Sequence, residues 1–307
     1  MAAGKNTGAR GRPFGFLNVD KPPKRTSHQA VAAVRRNVPD GTKVGHAGTL
    51  DPLATGVLVI CVGPATRLGE HVQRRPKRYR AEITLGATST TDDLEGTVTP
   101  TPDARPADAG RARAVLGRFV GEIEQTPPAH SAVHVEGSRA YRLARRGERP
   151  DLPARPVAIH HIEPLRYEWP ILEIDVRCSA GTYIRSLARD VGAAVGVGGY
   201  CSALTRTEVG PFTLGDAVAL DEVEPARDLI EPTVALADMA RAELADDLVE
   251  RIATGQTVRP GGSLPEPGKP VAMVDRLGRL AALGHVEPDG RSVQPDKVFV
   301  AAPGRPP

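Results

Sequence analysis

The sequence predicts an α+β fold: a mixed, largely antiparallel sheet with a few helices, followed by a small, mainly β C-terminal unit. Three observations carry this. The 307 residues include 29 prolines and 32 glycines, which break the chain too often for a helical bundle. Stretches of strict two-residue alternation stand beside stretches of helical spacing. The two kinds follow one another without a regular strand–helix repeat, which argues against a doubly wound parallel sheet.

The elements follow in order. FGFLNVD (14–20) reads as a short buried strand, stopped by Lys21-Pro22-Pro23. Thr26 or Ser27 then offers an N-cap for a helix over SHQAVAAVRRNV, with Ala30, Val31, Val34 and Val38 on one face. A loop runs from Pro39 to Pro52, GVLVICVG is a strand, and PATRLGEHVQ is a helix with Pro in its first turn. KRYRAEITLG alternates Tyr79, Ala81, Ile83 and Leu85 against Arg78, Arg80, Glu82 and Thr84, the mark of a half-buried strand. After a TSTTDDLEG loop come a helix around Ala107 to Phe119, irregular QTPPAHSAVHVEG, and a short basic helix RAYRLARRG. Strands are expected at Val157 to Ile162 and at ILEIDVRCS, then a helix TYIRSLARDVGAAV with Ile184, Leu187, Ala188 and Val191 inward. The chain turns acidic near Pro225 to Pro232, the expected domain boundary. Beyond it, a helix RAELADDLVERIATG ends at Gly255, and PVAMVDRLGRLAALGHVE reads as a hairpin turning at Arg276 to Gly278.

Charge is unevenly spread. Residues 1–100 carry 15 Lys and Arg against 8 Asp and Glu, whereas residues 221–307 carry 10 against 15. A basic N-terminal third suggests a surface that meets a polyanion. Cys61, Cys178 and Cys201 lie far apart with no C-x-x-C, and read as small buried hydrophobes with no metal or redox role. The longest nearly apolar stretch, Leu53 to Gly63, is far below the roughly 20 residues of a membrane-spanning helix. MAAGKNTGARGRP has no apolar core behind it, so residues 1–12 read as a flexible basic tail and the protein is expected in the cytoplasm.

GHAGTLDPLATG sets glycines around His46, Asp51 and Pro52. It has neither the Gly-Lys-Ser/Thr ending nor the G-x-G-x-x-G opening of a phosphate loop. Asp51 is open to two readings: a turn former before proline, or a carboxylate held on a glycine-permitted loop where backbone approaches a ligand.

Four segments, in order, resemble the TruB family of tRNA pseudouridine synthases: GFLNVDKPPKRTSHQAV, VGHAGTLDPLATGVLVICVG, KRYRAEITLG with TDDLEG, and CSAGTYIRSLARDVG. The likeness spans roughly residues 14–215. It implies isomerisation of uridine to pseudouridine at nucleotide 55 in the tRNA T loop, without cofactor or metal. Asp51 matches the family's catalytic aspartate, Tyr79 the aromatic that stacks on the flipped base and is a candidate to assist proton removal, and Arg185 the arginine paired with the carboxylate. A buried carboxylate needs a partner, and an Arg fork suits it, so Asp51 is expected to be anionic at neutral pH. By the same resemblance His46 lies beside the RNA, Lys21 is near the active site, and Asp93 belongs to the active-site network. All three are expected on the RNA-binding side.

Arg78, within RRPKRYR, and Arg142 and Arg145, within RAYRLARRG, are expected to contact phosphates, the second cluster on a thumb-like insertion. Asp92, Asp93 and Glu95 lack the further ligands a metal would need. The family's usual aromatic and Lys are replaced by His130 and His134. The expected division is a catalytic domain over 13–230 and a PUA-like domain over 231–307. Two rivals remain: an RNA chaperone without chemistry, and a guide-RNA-dependent synthase, which would expect long basic tails. Joint presence of Asp51, Tyr79 and Arg185 favours a stand-alone, monomeric enzyme acting on the T arm.

Overall fold

The computed structural model describes residues 13–129, 134, 135, 138, 139 and 152–301. Its strands are β1 (Gly15–Lys21), β2 (Val44–His46), β3 (Thr55–Val62), β4 (Lys77–Leu85), β5 (Ala87–Ser89), β6 (Val98–Pro100), β7 (Gly121–Gln125), β8 (His134–Val135) and β9 (Ser138–Arg139). They continue with β10 (Arg155–Glu168), β11 (Ile171–Cys178), β12 (Gly199–Val209), β13 (Phe212–Thr213), β14 (Val218–Ala219), β15 (Ala240–Leu244), β16 (Pro270–Asp275), β17 (Leu280–Val286) and β18 (Val293–Val298). The main sheet runs β14-β1-β3-β12-β4-β11-β10-β7, with β2 added to β3 and β13 to β12. Only the β1/β14 and β3/β12 contacts in it are parallel. The fold class is the expected one.

Local signals explain the elements that position the site. The Ser27–Arg35 helix starts in a capping box, Thr26 and Gln29 each accepting from the other's backbone N–H at 2.8 to 3.1 Å. Its Ala30, Val31 and Val34 are buried. On β4 the Tyr79, Ala81, Ile83 and Leu85 face enters the core, joined on β11 by Leu172, Ile174, Val176 and Cys178. The Ile184–Val195 helix packs Ile184, Leu187, Ala188 and Val191 into the same core.

Several elements differ from expectation. The second helix is a 3-10 turn (Gly63–Leu68) running into one short α-helix, Gly69–Gln73. The first third of RAELADDLVERIATG is strand β15, and the helix covers only Asp246–Ala253. The strand at Val157 extends over fourteen residues because it pairs on both edges. The basic helix expected over 139–147 lies outside the described residues apart from Arg139, which is in β9. His130 is also outside them.

β12 has no counterpart in the expected list, yet it sits at the centre between β3 and β4. Two register shifts, between Cys201 and Ala203 and between Arg206 and Glu208, break its alternation. Its parallel contact with β3 sets Arg206 opposite Gly56. Gly56 has φ +92, and a Cβ there would stand 2.3 Å from the Arg206 carbonyl oxygen. Gly56→Ala is therefore expected to destabilise the protein by at least about 2 kcal/mol, from strain and forced separation of the central strands; a denaturant midpoint unchanged from wild type would contradict this.

The second sheet runs β15-β16-β17-β18, and the expected hairpin is β16–β17. It is not isolated from the first. Ile230 exchanges backbone hydrogen bonds with Phe16 at 2.7 and 2.9 Å, and Phe14 stacks on Phe299 with centroids 5.3 Å apart. Ala235, Leu236, Val274 and Leu283 share an apolar core with Phe16, Leu68 and Val72. The three cysteines are free and buried. Burial pushes the thiols of Cys61 and Cys201 up to about 12 and that of Cys178 to about 11, which suits their reading as inert hydrophobes.

Candidate active site

The loop between β2 and β3 is fixed by its own backbone. Five consecutive carbonyls each accept a hydrogen bond. Arg206 donates to Gly48 and Thr49 at 3.2 Å each, and Ser27 Oγ to Leu50 at 2.9 Å. The Ala54 N–H donates to Asp51 at 3.1 Å, and the Lys24 N–H to Pro52 at 2.8 Å. Ser27 Oγ also accepts from the Leu50 N–H at 2.8 Å. A loop with its polar backbone satisfied holds one conformation, and it presents Asp51 at a cavity of about 400 Å³.

Arg185, from the first turn of the Ile184–Val195 helix, completes the centre. Its Nε lies 2.9 Å from Asp51 Oδ2 and its Nη1 3.1 Å from Asp93 Oδ2 and from the Thr91 carbonyl. The Arg185 side chain is 6% exposed and that of Asp93 2%, against 33% for Asp51. One guanidinium thus bridges a carboxylate buried in the protein and one open to the cavity. Asp93 is further held by Thr91 Oγ1 at 2.5 Å and by the Glu95 N–H at 2.9 Å. Burial and the neighbouring Asp93 and Asp51 push the Glu95 carboxyl above the usual range. The neighbouring Asp92 pairs with Arg189 at 2.8 Å instead.

Tyr79 lines the same cavity as Asp51, Tyr183 and Arg185. Burial raises its phenol above the ordinary value although Arg206 pulls the other way, so the ring is a neutral phenol at pH 7. Lys77, two residues back and on the same face, donates to the Arg75 carbonyl at 2.7 Å and to that of Gln73. Burial, with Arg206 nearby, lowers its ammonium to about 8. In the unfolded chain Lys77 keeps its proton to near 10.5, so between those pH values the unfolded state binds more protons and stability rises with pH. Wild type is therefore expected to gain thermal stability relative to Lys77→Met from pH 8 to 10; a difference independent of pH would contradict it.

The arginines of the basic run at 74–80, expected to face phosphates, are paired with carboxylates of the protein itself. Neighbours along a strand face opposite sides, so Arg78 and Arg80 lie across the sheet from Tyr79. Arg78 pairs with Asp175 at 2.8 Å and Glu208 at 3.2 Å, Arg80 with Glu173, and Arg75 with Asp238. Arg74, beside Glu70, and Arg80 are mostly exposed, at 78% and 59%. Lys21 and Asp93, expected to meet RNA, are 0% and 1% exposed. Lys21 donates to the carbonyls of Pro22 at 2.9 Å, Arg25 at 2.7 Å and Pro52 at 3.4 Å, and burial lowers its ammonium to about 8 against the pull of Asp51. Both residues hold the site from behind.

His46 is half-buried on β2, its Nδ1 without a hydrogen-bond partner among the described residues. Burial, then Arg206 and His28, lower its pKa, so the ring is neutral. Arg142 and Arg145 lie outside the described residues. Sequence reading missed Arg206, Lys77 and Tyr183. Lys77 was within reach, since it shares the two-residue period of Tyr79; Arg206 was not, because a bulge follows it.

Comparison with known proteins gives the family of the chain. Residues 35–184 match the family model "TruB family pseudouridylate synthase (N terminal domain)" and residues 185–241 the "tRNA pseudouridylate synthase B C-terminal domain". A tRNA pseudouridine synthase B of Corynebacterium efficiens is 43% identical over 87% of this chain and 94% of its own length. One from Thermobifida fusca is 42% identical over 94% and 99%. Among solved structures, a chain of a Cbf5-Nop10-Gar1 complex is similar with a TM-score of 0.71 at 27% identity, covering 98% of this chain and 91% of that one. A chain of an H/ACA RNP bound to a substrate RNA gives 0.72 at 25% identity, covering 99% and 93%. With the carboxylate, its arginine and the buried tyrosine gathered at one cavity, the chain belongs to the TruB family of pseudouridine synthases.

Proposed function

We propose that this protein isomerises uridine to pseudouridine at nucleotide 55 in the T loop of tRNA. The observation that carries this is the Arg185 bridge, which holds Asp51 at the mouth of a cavity walled by Tyr79. In this reading the target nucleotide leaves its stack and its base lies on the Tyr79 ring, a contact worth about 1 to 3 kcal/mol. Asp51 acts at C1′ as the C1′–N1 bond breaks. The base turns, C5 bonds to C1′, the C5 proton is lost and N1 gains one. Because Tyr79 is a buried neutral phenol, its primary part is the stacking surface.

The tRNA in the relatives' names supports tRNA as the substrate. The reading extends to action without guide RNA or protein partner, as a monomer in the cytoplasm. No helix among the described residues is long and apolar enough to cross a membrane. Residues 13–230 form the catalytic part and 231–307 a PUA-like accessory part, while Arg142 and Arg145 meet the T-arm backbone.

The test is chemical mapping of pseudouridine in an unmodified tRNA transcript after incubation with the purified protein alone. One new pseudouridine, in the T loop, is the expected result. Modification at another site, or only after a guide RNA is added, would overturn the reading.

A further inference from the structure

We propose that Arg206 is a positioning residue that sets the spacing between Asp51 and Tyr79. Its place in the sheet is what suggests this. Arg206 pairs in register with Tyr79 of β4 on one side and with Gly56 of β3 on the other. Its backbone thus adjoins the strand that carries the ring, while its side chain reaches the loop. Nε donates to the Val57 carbonyl at 2.8 Å, Nη1 to Thr49 at 3.2 Å and Nη2 to Gly48 at 3.2 Å. The guanidinium lines the same cavity as the Tyr79 ring, and its charge acts on the phenol. The bulge between Arg206 and Glu208 is a device that re-aims a side chain beside a site.

The environment is unusual for an arginine. Arg206 is 2% exposed, lines the cavity, and forms no ion pair with a carboxylate among the described residues. Among the described residues, backbone carbonyls accept its hydrogen bonds. Its charge is felt across the site, adding to the lowering of Lys21, His46 and Lys77 and easing the rise of Tyr79. A planar fork with five donors can serve separated carbonyls at once, whereas a lysine ammonium is a single point. On the other side of the contact Gly48 has φ +111, and a Cβ there would lie 4.0 Å from Arg206 Nη1. Two of the five pegged carbonyls before and around Asp51 therefore depend on this one side chain.

The test compares wild type with Arg206→Lys, which keeps the charge, and Gly48→Ala, which strains the loop while leaving Arg206 in place. Three quantities are read: single-turnover rate on a T-arm stem-loop, dissociation constant for that RNA, and hydrogen exchange of segment 47–54. The rate arm rests on the proposed isomerisation; the exchange arm does not. Both variants are expected to lose at least about 30-fold in rate, as for a reacting group misplaced by a fraction of an ångström to one ångström. RNA binding should stay within about threefold, and exchange should quicken in 47–54 but not in β4 or β11. Recovery of the wild-type rate by Arg206→Lys would show that charge alone suffices and overturn the proposal. So would a loss confined to RNA binding, or unchanged exchange in the loop. If wild type isomerises no uridine, the proposed function fails, and loop exchange alone decides the hold of Arg206.

Discussion

Replacing Asp51 with asparagine is expected to lower the single-turnover rate by at least about 10⁴-fold while leaving RNA affinity within about threefold. The substitution keeps the shape of the side chain and removes only its charge and its lone-pair reactivity toward C1′. Arg185 is not abandoned, because Nη1 stays with Asp93 at 3.1 Å and with the Thr91 carbonyl. The loop is not abandoned either, since its carbonyls are held by Arg206, Ser27 and the backbone. The thermal midpoint should therefore move little. Rapid-quench kinetics beside a filter-binding titration measure both quantities. A variant that retained a tenth of the rate would remove Asp51 from the chemistry.

The second large effect belongs to Arg185. Its fork reaches Asp51 through Nε and Asp93 through Nη1, a geometry a single ammonium cannot copy. Arg185→Lys is expected to cost about 10² to 10³ in rate with RNA binding nearly unchanged, because Asp51 keeps a cation but loses its aim. Arg185→Met should do more. It leaves Asp93 buried without its countercharge, a fault that costs about 3 to 5 kcal/mol in folded proteins. A lysine variant with wild-type rate, or a methionine variant with wild-type stability, would show that the bridge is not the organising contact. Chemical denaturation and single-turnover assays of the two variants separate the cases.

The parts of this molecule that a sequence shows are those where one periodicity runs unbroken. Tyr79, Ala81, Ile83 and Leu85 alternate through β4, and all are buried. Thr26 and Gln29 announce the first helix, and both capping bonds form. β12 stays hidden because its two bulges change the face of the side chains twice in eleven residues. Arg206 is hidden with it. Composition misled at RRPKRYR, since Lys77, Arg78 and Arg80 divide between two faces of a sheet, and Arg78 and Arg80 find carboxylates on neighbouring strands. Those carboxylates, Glu173, Asp175 and Glu208, are distant in the chain and no local pattern joins them to it. The acidic turn TDDLEG shows the same limit: Asp93 goes to Arg185 and Asp92 to Arg189, and only the tertiary fold separates them. Asp51, by contrast, was legible from its glycine-rich loop together with family resemblance, and the structure sets it beside the arginine that was expected.

The most direct measurement of the central claim is tritium release from a tRNA transcript labelled at C5 of uridine, with EDTA present, for wild type and Asp51→Asn side by side. The account predicts rapid release by wild type and none above background by the variant. Equal release by the two proteins would contradict the role of Asp51, and tight RNA binding without release by wild type would contradict the isomerase itself.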